Sequence, residues 1–201
     1  MAKLKYSLLI PVFFIGINCL SQNYLWLTDG KKIKVENYKI ESPELISYQN
    51  LKGKTKTIDA YDVFSIHESN GNEKIIYVPD TSYVGAFKVE EMKSFVQGQF
   101  DASQKYKSPL TTIGGIAVAG VSSAFIQPLY VFLISGGYCT GIGLTNTRGK
   151  KLQIPAEFAQ NEHYRLGYNK AVKHKRIKNA IIGSGIGLLA GLGTFAIING
   201  K

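Results

Sequence analysis

The apolar positions of this chain change period along its length. From Tyr24 to Val78 they fall in short runs: Tyr24 to Leu27, Ile33 to Ile40, Leu45 to Leu51, Thr55 to Asp59, Val63 to His67, and Ile75 to Val78. Asp29-Gly30 and Asn70-Gly71 separate neighbouring runs, and such pairs accept the positive φ that a tight hairpin turn demands. Alternation through Ile46 and Tyr48, and through Val63 and Ser65, predicts one face turned inward and one face wet. Five or six strands of this kind predict a small antiparallel β domain, barrel-like, over residues 22–83.

From Val89 to Tyr106 the period becomes helical. Val89, Met92, Phe95, Val96, Gln99 and Phe100 share a face, with Glu90, Glu91, Lys93, Gln97 and Asp101 mostly opposite. This predicts an amphipathic connector over 84–109 whose stripe lies on the β domain or a second helix in the first place, with the bilayer surface as the alternative, ending where Ser108-Pro109 removes a donor and disfavours helix. Residues 110–144 then contain no charge at all. That stretch is long for one bilayer crossing and short for two, since a crossing takes about 20 helical residues. Gln127-Pro128 divides it, so both a single span and a hairpin of Leu110–Ile126 with Leu129–Gly143 are open. Residues 179–199 form another apolar segment with the length of one crossing.

Charge sharpens this picture. The 201 residues hold 24 Lys and Arg against 14 Asp and Glu, a net charge of +10. The excess sits almost entirely in 145–178, a basic loop and helix between two uncharged stretches, whereas 22–109 balances to zero. Basic residues flanking apolar segments orient chains in membranes by resisting translocation. A single crossing by 110–144 therefore places the basic loop in the cytoplasm, opposite an exported β domain. Residues 1–21 read as a signal peptide: Lys3 and Lys5 precede the apolar run Tyr6 to Ile17, and Cys19-Leu20-Ser21 offers small residues before a cleavage at Gln22. Lipid attachment at Cys19 is disfavoured by Asn18 beside it. Only Cys139 then remains, which excludes a disulfide within one chain and fits a small buried hydrophobe.

Glycine supplies the most informative local pattern. Gly183, Gly187 and Gly191 recur at spacing four, Gly115, Ala119 and Ser123 repeat the stripe, and Gly137 and Gly141 do so again. Small residues on one helix face let backbones approach closely in lipid, where hydrophobic burial no longer drives association. The stripes thus serve helix packing, within one chain or between copies in a homo-oligomer. A short duplication runs alongside: Phe95-Val-Gln-Gly98, Asp101-Ala102 and Ile113-Gly114 match Tyr164-Arg-Leu-Gly167, Lys170-Ala171 and Ile182-Gly183 at an offset of 69. It pairs two amphipathic helices, each leading into a glycine-rich segment, and favours the hairpin for 110–144.

Candidate chemistry is sparse. Lys170, Lys173, Lys175, Arg176 and Lys178 enter the last apolar segment, where they set topology or contact anionic lipid headgroups. Nucleic acid is not expected as a partner, because Tyr164 and Tyr168 belong to an apolar stripe with Phe158 rather than to a set of base readers. No catalytic residue, metal site or cofactor is assigned: His67, His163 and His174 form no metal-binding spacing, and no phosphate loop or nucleophile elbow is present. Asp101 and Glu162, next to the membrane segments, read as interfacial carboxylates or as part of an ion pathway.

Leu27-Thr-Asp-Gly30-Lys-Lys-Ile33, Gly98-Gln-Phe-Asp101-Ala102, the glycine-rich stretch broken at Pro128, Ile154-Pro155 and Tyr164-Arg-Leu-Gly167-Tyr168 follow one another before a basic helix. In this order they resemble a group of uncharacterised exported membrane proteins of Gram-negative bacteria, over residues 22–199. The resemblance implies placement in the bacterial cell envelope and implies no activity, substrate or site residue. Taken together, the sequence predicts an α+β membrane protein: a small antiparallel β domain, then amphipathic helices and two or three glycine-rich transmembrane helices. A non-enzymatic structural or interaction role follows, with membrane lipids and an envelope protein as candidate partners. The alternative is an oligomeric small-solute pore or transporter accessory subunit.

Overall fold

The computed structural model describes residues 22–80, 82, 85–126, 128–145 and 153–199. The expected signal peptide at 1–21, Cys19 included, and residues 146–152 of the basic loop lie outside the described residues. The chain is α+β. Six strands, β1 (Tyr24–Leu27), β2 (Lys32–Ile40), β3 (Leu45–Asn50), β4 (Thr55–Asp59), β5 (Val63–His67) and β6 (Glu73–Ile75), precede α1 (Val89–Lys105), α2 (Pro109–Phe125), α3 (Pro128–Leu144) and α4 (Glu162–Asn199).

The strands form one antiparallel sheet in the order β4-β3-β2-β1-β5-β6. β2 is shared, Lys32–Lys34 pairing with β1 and Val35–Ile40 with β3 across an irregularity between Val35 and Asn37. The pairing of β1 with β5 also slips, so that Trp26 faces Ser65 but Leu27 faces Val63. An extra residue in one strand breaks the two-residue alternation. Val63 and Ile66 consequently enter one core, with Leu25, Val35, Ile46 and Tyr48, while Phe64 enters another with Trp26, Met92 and Val96. The expected barrel does not close: β4 and β6 remain edges. β6 is only three residues long, too short to carry a ladder around, and α1 covers the face a further strand would have covered.

The amphipathic stripe of α1 packs on protein. Trp26, Phe64, Met92 and Val96 are each at most 8% exposed, and burial of such side chains stabilises by roughly 1.5–3 kcal/mol each. The β1–β2 turn fits against the same helix. Gly30 has φ +82°, and a Cβ there would lie 2.6 Å from Gln99 Cβ, so the turn needs glycine for its backbone and for its space. Gln99 Nε2 donates to the Thr28 carbonyl at 2.8 Å, pinning the turn to α1.

At Tyr106–Ser108 the chain bends by 65° from α1 into α2, with Pro109 in the first turn of α2, where its missing N–H costs nothing. The Ser108 carbonyl accepts from Asn179 Nδ2 at 3.2 Å and from Thr111 Oγ1 at 2.8 Å. α3 turns back along α2: Tyr138 Oη donates to the Thr111 carbonyl at 3.0 Å, and Arg176 donates to the Thr145 carbonyl at 2.8 Å. The apolar stretch is therefore a helical hairpin. Its return has a topological consequence. Asn161 Nδ2 reaches Ser94 Oγ of α1 at 3.2 Å, so the basic segment and the sheet share one end of the helical layer.

Candidate membrane-facing site

α4 runs parallel to the α1–α2 unit and touches it backbone to backbone. A Cβ on Gly98 would collide with the Tyr164 carbonyl, and one on Gly167 would collide with the Phe95 carbonyl. These contacts are reciprocal: in the duplication Phe95 corresponds to Tyr164 and Gly98 to Gly167, so the glycine of each copy meets the aromatic residue's carbonyl of the other. Further along, a Cβ on Gly115 would lie 2.7 Å from the Ala180 carbonyl oxygen and 2.8 Å from Ser184 N, the residue 69 positions on. The copies thus lie side by side in register.

The same seam takes most of the glycine stripe. Gly183 approaches the Thr112 carbonyl, Gly187 the Ile116 carbonyl with Gly120 N at 2.9 Å, and Gly191 the Ser123 side chain with the Gly120 carbonyl at 2.5 Å, all measured from an added Cβ. Ala119 is fully buried in α2. Gly183, Gly187, Gly191, Gly115 and Ala119 therefore meet within one chain. Gly137 and Gly141 do not: a Cβ on either meets nothing within 4 Å, so the helix-packing role expected for them is not filled in this chain, because α3 turns its other side to α2 and α4.

The outer surfaces of these helices are apolar. Phe125 is 79%, Leu189 73% and Ile197 80% exposed, with Leu110, Val121, Phe132, Leu133, Ile181 and Ile186 exposed beside them. α4 is long and apolar enough to cross a membrane. Cys139 is half-buried rather than buried, with Sγ 3.9 Å from Ser184 Oγ.

The five basic residues at the head of this region divide. Lys175 Nζ donates to the Ser103 carbonyl at 2.8 Å, and Arg176 donates to both the carbonyl and Oγ1 of Thr145, at 2.8 and 2.9 Å. These bonds satisfy carbonyls at the ends of α1 and α3, where helices leave acceptors unpaired. Lys170 Nζ lies 5.3 Å from the Phe95 ring centroid. Lys173 and Lys178 are exposed, and neither has a hydrogen bond or ion pair among the described residues.

Asp101 is not an exposed interfacial carboxylate. It is buried, accepting from Tyr164 Oη at 2.7 Å and Gln97 Nε2 at 3.1 Å, with Lys105 Nζ at 3.8 Å. Tyr164 stacks on Phe158 at 4.5 Å and packs with Tyr168 and Val172. Asn161 Oδ1 accepts from Tyr164 N at 2.9 Å and starts α4.

A polar cluster between sheet and α1 has no forerunner in the sequence reading. Lys32 Nζ sits 4.9, 4.4 and 4.5 Å from the ring centroids of Tyr24, Trp26 and Phe100, a favourable placement for a cation on aromatic faces. His67 stacks on Tyr24 at 4.3 Å, its Nε2 is 3.1 Å from Glu73 Oε1, and Lys93 Nζ is 2.8 Å from Glu73 Oε2. The two-residue spacing of Tyr24, Trp26 and of Ser65, His67 was the available signal, since such residues share a sheet face. Burial lowers the His67 pKa despite the attraction of Glu73. For Glu73, burial pushes upward, but the bond from Lys93 and the neighbouring positive charges outweigh it, leaving the carboxyl below its ordinary value. Among the described residues no group of three or more His, Cys, Asp or Glu is placed to hold a metal.

No family model matches this chain, and no curated protein or solved structure is significantly similar to it. The geometry alone carries the functional reading.

Proposed function

We propose that this is a non-enzymatic, membrane-anchored protein of the bacterial cell envelope, in which α2, α3 and α4 sit in the bilayer and hold the sheet module at its surface for an envelope partner. The observation that carries the reading is the uncharged outer surface of these helices. No charged residue occurs in 110–144 or 179–199, while Phe125, Leu189 and Ile197 stand almost fully exposed. In water such a surface is an aggregation liability, and in lipid it is the ordinary exterior of a membrane helix. α2 and α3 have 17 residues each, about 25 Å of helix. This is slightly under the hydrocarbon thickness of about 30 Å, a mismatch that local thinning accommodates.

The full chain is expected to stay with the membrane fraction through alkaline carbonate washing and to need detergent for extraction. Recovery as a monodisperse protein in plain buffer, with no association with vesicles, overturns the reading. One observation favours a second role. Gly136, Gly137 and Gly141 leave a small-residue face of α3 open, suited to another helix in an oligomeric pore or a transporter accessory subunit. Mass measurement in detergent together with ion flux in liposomes tests it: a monomer without conductance removes that role.

A further inference from the structure

We propose that the groove between the C-terminal turns of α3 and the head of α4 holds an acyl chain of one anionic phospholipid, with the headgroup phosphate on Lys173. The inference rests on the membrane reading above and gives it a specific lipid site. The groove has a volume of about 340 Å³ and is lined by Cys139, Thr140, Gly143, Leu144, Ile177 and Lys173. Its floor exists because Gly143 has no side chain: a Cβ there would press on Ile177 Cδ1 at 3.2 Å. Its walls are apolar or weakly polar, and it opens beside Leu144, which belongs to the exposed apolar surface.

The charge at its mouth is complementary to a phosphate. Lys173 is the one Lys or Arg that lines the groove, and its ammonium has no hydrogen bond or ion pair among the described residues. Its neighbours are committed elsewhere, Lys175 to Ser103 and Arg176 to Thr145. Beyond Glu162, α4 contains no carboxylate to neutralise it. The level is right as well: Arg176 bonds the end of α3 at Thr145 and Asn179 bonds the start of α2 at Ser108, so Lys173 stands about one turn above Ile177 of the groove and nearly two turns outside Asn179, where the uncharged part of α4 begins. An ammonium one turn above an apolar slot matches a phospholipid, whose phosphate lies just above its acyl chains.

The test uses the full chain in detergent, titrated with phosphatidylglycerol or phosphatidylcholine and read as bound-lipid adducts by native mass spectrometry. Wild type is expected to retain phosphatidylglycerol about fivefold better, the effect of one basic residue near a lipid surface. Lys173→Gln brings the two lipids level, Lys178→Gln leaves the preference intact, and Thr140→Trp, which fills the groove, lowers retention of both. An unchanged melting temperature for each variant excludes loss of fold as the cause. Equal retention of the two lipids by wild type overturns the site, and so does a loss on Lys178→Gln as large as on Lys173→Gln, which marks diffuse charge attraction. Failure of the membrane reading is read separately, as absence of the detergent-free chain from floated vesicles.

Discussion

The close approaches of Gly98 to the Tyr164 carbonyl and of Gly167 to the Phe95 carbonyl test the fold at single residues. Each glycine faces a carbonyl of the partner helix, which is fixed in its own helical ladder and cannot give way as a side chain would. Gly98→Ala or Gly167→Ala is expected to destabilise by about 1–3 kcal/mol, the cost of overpacking, read by chemical denaturation in detergent. Gly185→Ala is the control: nothing lies within 4 Å of its Cβ position, and its stability should not fall. A second residue-scale expectation concerns acid. The folded state lowers the pKa of His67 chiefly through burial, so on acidification the unfolded chain takes up the proton first. That contribution is complete above the ordinary imidazole value of 6.5 and is lost as pH falls through the depressed folded value. Glu73, also lowered, acts in the same direction at more acid pH. Stability should therefore fall as the pH drops below the ordinary imidazole value of 6.5, and His67→Gln should flatten that part of the profile while leaving the carboxylate limb.

At the scale of elements, the helices and most of the strands were legible because they rest on local signals. The runs Tyr24 to Leu27, Thr55 to Asp59 and Val63 to His67 coincide with β1, β4 and β5, since turn residues and periodicity act within a few positions. Closure was not legible. Whether six strands curl into a barrel depends on a slip opposite Phe64 and on the short reach of β6, neither of which leaves a mark in the hydrophobic pattern. The glycine stripes were legible as packing faces but not as to partner. Gly187 and Gly137 look alike in sequence, yet one presses on the Ile116 carbonyl while the other faces open space. This difference predicts that Gly187→Leu separates α2 from α4 and lowers the melting temperature of the detergent-solubilised chain, whereas Gly137→Leu leaves it unchanged. A Gly137→Leu chain that keeps its melting temperature but loses an oligomeric species in detergent would assign the open face to contacts between copies.

For the whole molecule, the two passes of the α2–α3 hairpin settle where the basic segment goes relative to the sheet. A single crossing would separate Ser69, after β5, from Gln160, before α4. The hairpin keeps them at one end of the helices, where Asn161 bonds Ser94 of α1. In a chain whose own cysteines are replaced by serine, single cysteines at Ser69 and at Gln160 are therefore expected to react alike with a membrane-impermeant thiol reagent, either both in intact cells or both only after lysis. Labelling from opposite sides would overturn the three-segment arrangement. The outcome also ranks two forces that the fold sets against each other. On the proposed membrane reading, a leader at residues 1–21 would export the sheet, while six basic residues from Arg165 to Lys178, on the same side of the bilayer, would resist translocation. Because the parallel seam of α1–α2 with α4 binds both groups into one body, they move together: reaction of both cysteines in intact cells means that export by the leader outweighs the retention that the charge would impose.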